Sequence, residues 1–323
     1  VSSRVRTLMK PFGRLVLAIC AVLIGATALV AAPAQAAPAQ PENYNFFGGI
    51  PYELQHPGGS LPGSNDFRCK PTAAHPRPVV LVHGTGGART TNWGAYVPML
   101  KNRGYCVFAL TYGALPGMPW PLTAVGGMDR IEVSAGQLQK FVARVLAATG
   151  AKTVDIIGHS QGTYMPEYYV KYLGGADKVT NYVSLAPLWK GTGSVSPSMN
   201  QLGRLLGDVP MPMCIGCGGM LPGSSMNKKI WRGGSPYVKG VHYTNIMTRY
   251  DELVVPYTAG FVPGRRGESV DNIVVQDSCA QDYSDHLAIA GSRRAAYLAL
   301  NALDPAHPVT VPCEFVPPFT GQS

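Results

Sequence analysis

Charge is scarce in this sequence: Asp, Glu, Lys and Arg make up only 14% of 323 residues, while apolar residues reach 46%. Such a chain can bury a core, which excludes a solvated, disordered polymer. The cationic excess is small as well. Lys and Arg number 27 against 18 acidic residues, a formal +9 that falls to about +5 once the four basic residues of positions 1–36 are set aside. The excess is spread along the chain, so nucleic acid is not an expected partner. No internal repeat is apparent. No His or Cys lies close enough to Cys214 and Cys217 to complete a zinc site. Pro212, Gly216, Gly218 and Gly219 around that pair read as a loop, which argues against a redox-active helix start. No metal and no cofactor is expected.

Positions 1–36 have the layout of a secretory signal peptide. Arg4, Arg6, Lys10 and Arg14 precede an uncharged run from Leu15 to Ala32, and Ala34-Gln35-Ala36 supplies the small-residue cleavage pattern. Secretion is the expectation, with an uncleaved membrane anchor as the alternative. Beyond Cys20, six cysteines remain, and an even number in an exported chain reads as disulfides. A sequential pairing is expected: Cys69–Cys106, Cys214–Cys217 and Cys279–Cys313.

Residues 37–66, rich in Pro, Gly and Asn, read as an extended arm over a catalytic domain at 67–310, with a tail at 311–323. Short apolar runs then alternate with helical periodicity. Strands are expected at 78–82, 106–110, 154–157, 180–185, 243–248 and 273–276, and helices at 131–149, 161–173 and 287–303. Pro166 would remove a hydrogen bond from the second helix and kink it. Strand–helix alternation predicts an α/β fold, with a mainly parallel sheet covered on both faces. The alternation fails from 188 to 241. That stretch is too long for a plain connection and reads as an inserted cap or lid. Its Met211, Met213, Met220, Leu221, Met226 and Trp231 suit either an apolar lipid-facing surface or ordinary packing, and so do Trp93 and Trp120 earlier in the chain.

Gly158-His159-Ser160-Gln161-Gly162 stands where a strand gives way to a helix. A serine hydroxyl must project from a very sharp turn to attack a substrate, and side chains two residues to either side would clash there. Ser160 is therefore the candidate nucleophile. It needs a base and a carboxylate later in the chain. His286, on the loop before the last helix, is preferred over His242 and His307. Asp251, at the end of the fifth strand, is preferred over Glu252, Asp277, Asp282 and Asp285, the last three of which read as surface or turn residues. The developing oxyanion needs N–H donors. Gln161 supplies one, and the loop His83-Gly84-Thr85-Gly86-Gly87 supplies the second, assigned to Thr85. His83 is expected to brace that loop.

His83-Gly-Thr-Gly-Gly, the Gly158–Gly162 elbow with its continuation Tyr164-Met-Pro-Glu-Tyr-Tyr-Val-Lys-Tyr-Leu-Gly-Gly175, and Asp251-x-x-Val-Val-Pro resemble the secreted bacterial class 2 lipases, particularly the larger actinobacterial type. The resemblance spans about residues 65–305 and implies an α/β-hydrolase that cleaves carboxylic esters, often of glycerol with fatty acids, without a cofactor. It maps the triad onto Ser160, Asp251 and His286, and the oxyanion donors onto Thr85 and Gln161. The 188–241 insertion and the extra cysteines depart from the small bacillary members. The expected partners are an ester or lipid substrate and, transiently, a lipid–water interface, and the chain is expected to be a monomer. The same machinery would also serve an acyltransferase or a hydrolase of short or polymeric esters. A secreted lipid-binding protein without activity is the remaining alternative.

Overall fold

The computed structural model describes residues 38–193 and 214–322. The expected signal segment lies outside them, as do Met211 and Met213. The apolar runs Val79–Val82 (β1), Val107–Leu110 (β2), Val154–His159 (β3), Val179–Leu185 (β4) and His242–Met247 (β5) join Ser269–Val274 (β6) in one sheet. Its order is β2-β1-β3-β4-β5-β6, and every neighbouring pair is parallel. Among the described residues the α-helices are Ile50–Gln55 (α1), Tyr96–Asn102 (α2), Ile131–Thr149 (α3), Met165–Tyr172 (α4), Ile215–Gly219 (α5), Ser225–Ile230 (α6) and Arg293–Leu303 (α7). The architecture is the expected α/β-hydrolase fold.

Side chains alternate along each strand and feed two cores. Val80, Val82, Phe108 and Ile156 join Leu138 and Val142 of α3 and Val170 of α4 on one face. Val79, Leu81, Val107 and Ile157 join Val97 of α2 and Ala296 and Leu300 of α7 on the other. Met220 and Met226 of the insertion are buried in the first core, so these two pack inward. Trp93 is fully buried in the second core, while Trp120 is half-exposed and donates to Glu53.

The strand expected at 273–276 in fact runs from Ser269 to Val274, and Val275–Asp277 is a 3-10 turn. β6 is an edge strand whose exposed Ser269 and Asp271 hide it from an apolar criterion. The helix expected at 161–173 is a 3-10 turn, Ser160–Thr163, followed by α4. Pro166 therefore lies in the first turn of α4, where its missing N–H has no intrahelical acceptor to lose, and the anticipated kink has no cause. The last predicted helix is likewise divided. Ser292 caps α7 by accepting from the Ala295 amide, which leaves Ala288–Gly291 as a separate 3-10 turn.

The N-terminal arm is not wholly extended, because it contains α1 and the 3-10 turn Phe46–Gly49. It also closes the β2 edge. The Asn65 side chain accepts from the Ala109 amide and donates to the Ala109 carbonyl, imitating a neighbouring strand. Cys69–Cys106, Cys214–Cys217 and Cys279–Cys313 are disulfide-bonded.

The connection leaving β1 runs toward β2, and that leaving β3 runs toward β4. Two adjacent strands whose chains depart in opposite directions open a crevice at their carboxyl ends. The His83–Gly87 loop and Ser160 both lie there.

Candidate active site

β3 ends at His159, and the chain turns immediately into the 3-10 helix that begins at Ser160. Ser160 has φ +54°, a strained backbone for a residue with a side chain. The flanking glycines make the turn possible. A Cβ at Gly158 would lie 2.0 Å from the Gly162 carbonyl oxygen, and one at Gly162 would lie 2.0 Å from the Val82 carbonyl oxygen. The elbow is thus wedged against β1, and Ser160 is carried to the sheet edge with its side chain half-buried.

Two loops deliver the partners. Asp251 lies four residues beyond β5, which ends at Met247 and so stops short of the expected boundary. Its carboxylate accepts from the Leu253 and Val254 amides at 3.0 and 2.7 Å, which orients it. His286 Nδ1 is 2.8 and 3.0 Å from the two Asp251 oxygens, and its Nε2 is 2.8 Å from Ser160 Oγ. The carboxylate can only accept, so Nδ1 bears the proton and Nε2 is left to accept from the serine hydroxyl. Burial pulls the His286 pKa down, the Asp251 charge and hydrogen bond push it up, and the net position is above the usual value. The His286 amide donates to Glu252, and Tyr250 and Asp285 form a parallel bridge between the two loops.

The other sequence candidates stand elsewhere. His242 is exposed beside Ser269, and His307 is exposed beside Asp304. Asp277 pairs with Arg249 on the surface. Of the expected surface or turn roles, Asp282 and Asp285 take the second, and both are buried. They accept from the Ser284 amide and from the Leu287 and Ala288 amides, so they shape the histidine loop.

The loop after β1 passes close to the serine. A Cβ at Gly84 would lie 3.0 Å from Ser160 Cβ, a tight contact that a glycine avoids. The amides of Gly84, Gly86 and Gly87 donate to Asn92 Oδ1, Gly126 O and Gly84 O. The Thr85 amide has no protein acceptor among the described residues. Gln161 is the second residue of the 3-10 turn, where first-turn amides have no acceptor within the turn. His83 is fully buried, and burial pushes its pKa down to about 4. The Tyr112 amide donates to its Nε2 at 3.2 Å, so Nδ1 carries the proton and donates to the Gly84 carbonyl at 2.7 Å. The ring therefore braces the loop.

Two residues had no signal in the sequence. His159 donates through Nε2 to the His286 carbonyl at 2.8 Å, and burial holds its pKa near 3. Asn92 Oδ1 accepts from the Gly84 amide at 3.1 Å and so holds the oxyanion loop. His159 stands inside the elbow motif, but its contact crosses 127 residues and that of Asn92 crosses 8, so neither role follows from a local pattern. Among the described residues no cluster of three or more His, Cys, Asp or Glu side chains could hold a metal.

Among solved structures, the chain is similar to lipase B from Aspergillus fumigatus, with 18% identity and a TM-score of 0.58 over 78% of this chain and 57% of that one. It thus spans little more than half the length of that relative. It is also similar to the mature form of lipase BlEst2 from Bacillus licheniformis, with 11% identity and a TM-score of 0.51 over 74% of this chain and 94% of that one. At such identities the likeness concerns the fold. The family model described as lipase (class 2) matches residues 76–286, from the approach to β1 through the histidine loop. The chain belongs to the class 2 lipase family.

Proposed function

We propose that Ser160, His286 and Asp251 form the catalytic triad of a secreted lipase that hydrolyses fatty-acid esters, acylglycerols foremost. The carrying observation is the unbroken hydrogen-bonded chain from Asp251 through His286 to Ser160 on a positive-φ elbow. His286 takes the serine proton as Oγ attacks the ester carbonyl. The Thr85 and Gln161 amides receive the developing negative charge. The alcohol departs with the proton from His286, and water releases the acyl group by the same steps. Asp251 stabilises the imidazolium formed in each half-reaction.

Exposed apolar side chains support a fatty-acyl substrate. Ile215, 57% exposed, adjoins Gly216, which packs on the Gln161 side chain. Val255, 45% exposed, follows the Val254 amide that orients Asp251. We read residues 188–241 as a cap inserted in the 67–310 catalytic domain, and residues 1–36 as a leader for export, in keeping with three disulfides.

A hydrolysis profile from acetate to long-chain triglyceride tests the reading, with Ser160→Ala as control. Long-chain esters are expected to be cleaved, and the variant to be inert but folded. Turnover by Ser160→Ala would remove the nucleophile, and activity confined to the shortest esters would remove the lipase assignment.

A further inference from the structure

We propose that Tyr112 is a positioning residue that sets the spacing between the two oxyanion donors. The proposal deepens the triad reading above and rests on it.

Tyr112 is fully buried just beyond β2 and meets the site through every polar group it has. Its ring stacks on His83, with centroids 4.2 Å apart and planes 12° off parallel. Its amide donates to His83 Nε2, and its carbonyl accepts from the Gly127 amide at 2.7 Å. Its hydroxyl proton is shared between the His83 carbonyl at 2.7 Å and Gln161 Oε1 at 3.1 Å. The first acceptor lies two residues before Thr85. The second belongs to the side chain of Gln161, whose own amide is the other donor. One hydroxyl therefore spans both halves of the oxyanion hole.

Gly127 completes the clamp. With φ +72°, it is slotted between the two donor residues: a Cβ there would lie 3.1 Å from Thr85 Cα and 2.3 Å from Gln161 Oε1. The Tyr112 carbonyl holds it in place. The Gly126 amide donates to Gly87, and the Gly86 amide to Gly126, so the same turn is stitched to the oxyanion loop. β1 and β3 bring the two donor residues to the crevice, and the contact of Gly162 with the end of β1 holds the elbow against that strand. The Tyr112 hydroxyl adds a direct side-chain link between the two donor segments. Donors aimed at an oxyanion act through preorganised geometry, so loosening their spacing weakens the transition state more than the bound substrate.

Tyr112→Phe keeps the ring stack and both backbone contacts and removes only the hydroxyl. Gln161→Met keeps the donor amide and removes the acceptor at the far side of the same bond. Each single variant is expected to lose about tenfold in kcat, with KM within about twofold of wild type. Each should also lose about tenfold in affinity for an alkyl boronic acid, whose serine adduct is tetrahedral. The double variant is expected to be no worse than Tyr112→Phe, because the interaction that Gln161→Met removes is one of the two that the lost hydroxyl makes. Near-UV circular dichroism checks that each variant is folded, and Gln161→Met carries the test if Tyr112→Phe is not. Unchanged kcat and boronate affinity would overturn the proposal. So would single losses that multiply to about a hundredfold in the double variant, or losses carried by KM. Fluorophosphonate labelling separates the two readings. A label on Ser160 with variants equal to wild type sinks the Tyr112 clamp alone, and a label elsewhere sinks the nucleophile and the clamp together.

Discussion

The proposed nucleophile and its two proposed partners are held by different means. Ser160 is fixed by backbone against backbone: Gly158 and Gly162 touch carbonyl oxygens at distances no side chain could share, and a strained φ results. Asp251 and His286 sit on loops and are fixed by hydrogen bonds from neighbouring amides and from His159, and by the one that the His286 amide donates to Glu252. The first arrangement cannot be adjusted without moving β1. The second can be tuned in charge and proton affinity while the backbone stays where it is.

That contrast can be broken from either side. Replacing Asp251 by Asn keeps the size of the side chain and removes its charge. It is expected to cost about 10⁴-fold in kcat, with a melting temperature close to wild type, because the imidazolium loses its partner and the tautomer its anchor. A large loss of thermal stability would mean that Asp251 is held by the fold as rigidly as the elbow is. Gly162→Ala acts on the other region. The clash with the Val82 carbonyl must displace the elbow or β1, so about 100-fold in kcat/KM should be lost together with about 3 kcal/mol or more of stability. A variant of full stability and activity would show that the elbow is not wedged against β1.

The smallest effect is the most specific to the loop side. The proposed mechanism needs neutral His286. Its pKa is raised above the usual 6.5 by the Asp251 charge against the opposing effect of burial, so kcat/KM should rise with pH through a midpoint above that value, about tenfold per unit on the acid side. Asp251→Asn should shift the midpoint of its residual activity downward, since the charge that favours the protonated ring is gone. A pH–rate series on both proteins decides this, and a midpoint that stays put would detach Asp251 from the titrating group.

Much of this was legible in the chain. The elbow is local: two glycines, a serine, an apolar strand before and a helical pattern after, all within about twenty residues. Five of the six strands showed as apolar runs because a parallel sheet is buried on both faces. β6 was misplaced because an edge strand exposes alternate side chains and its sequence is polar there. Pro166 misled for a related reason. The helical period runs through the 3-10 turn without marking where the α-helix starts, and a proline is harmless in a first turn and costly in an interior one.

Residue order along the chain singled out Ser160, Asp251 and His286, because strand ends in an alternating fold all reach one edge and this fold presents its groups in a fixed sequence. What order could not express was distance. That His286 stands 2.8 Å from Ser160 across 126 residues, that His159 grips its carbonyl, and that the Tyr112 hydroxyl reaches both the His83 carbonyl and the Gln161 side chain are outcomes of how loops settle on the assembled sheet. Local pattern is written by steric and hydrophobic rules that act between near neighbours. Contacts between loops depend on many weak forces summed over the whole core, and only the folded chain evaluates that sum.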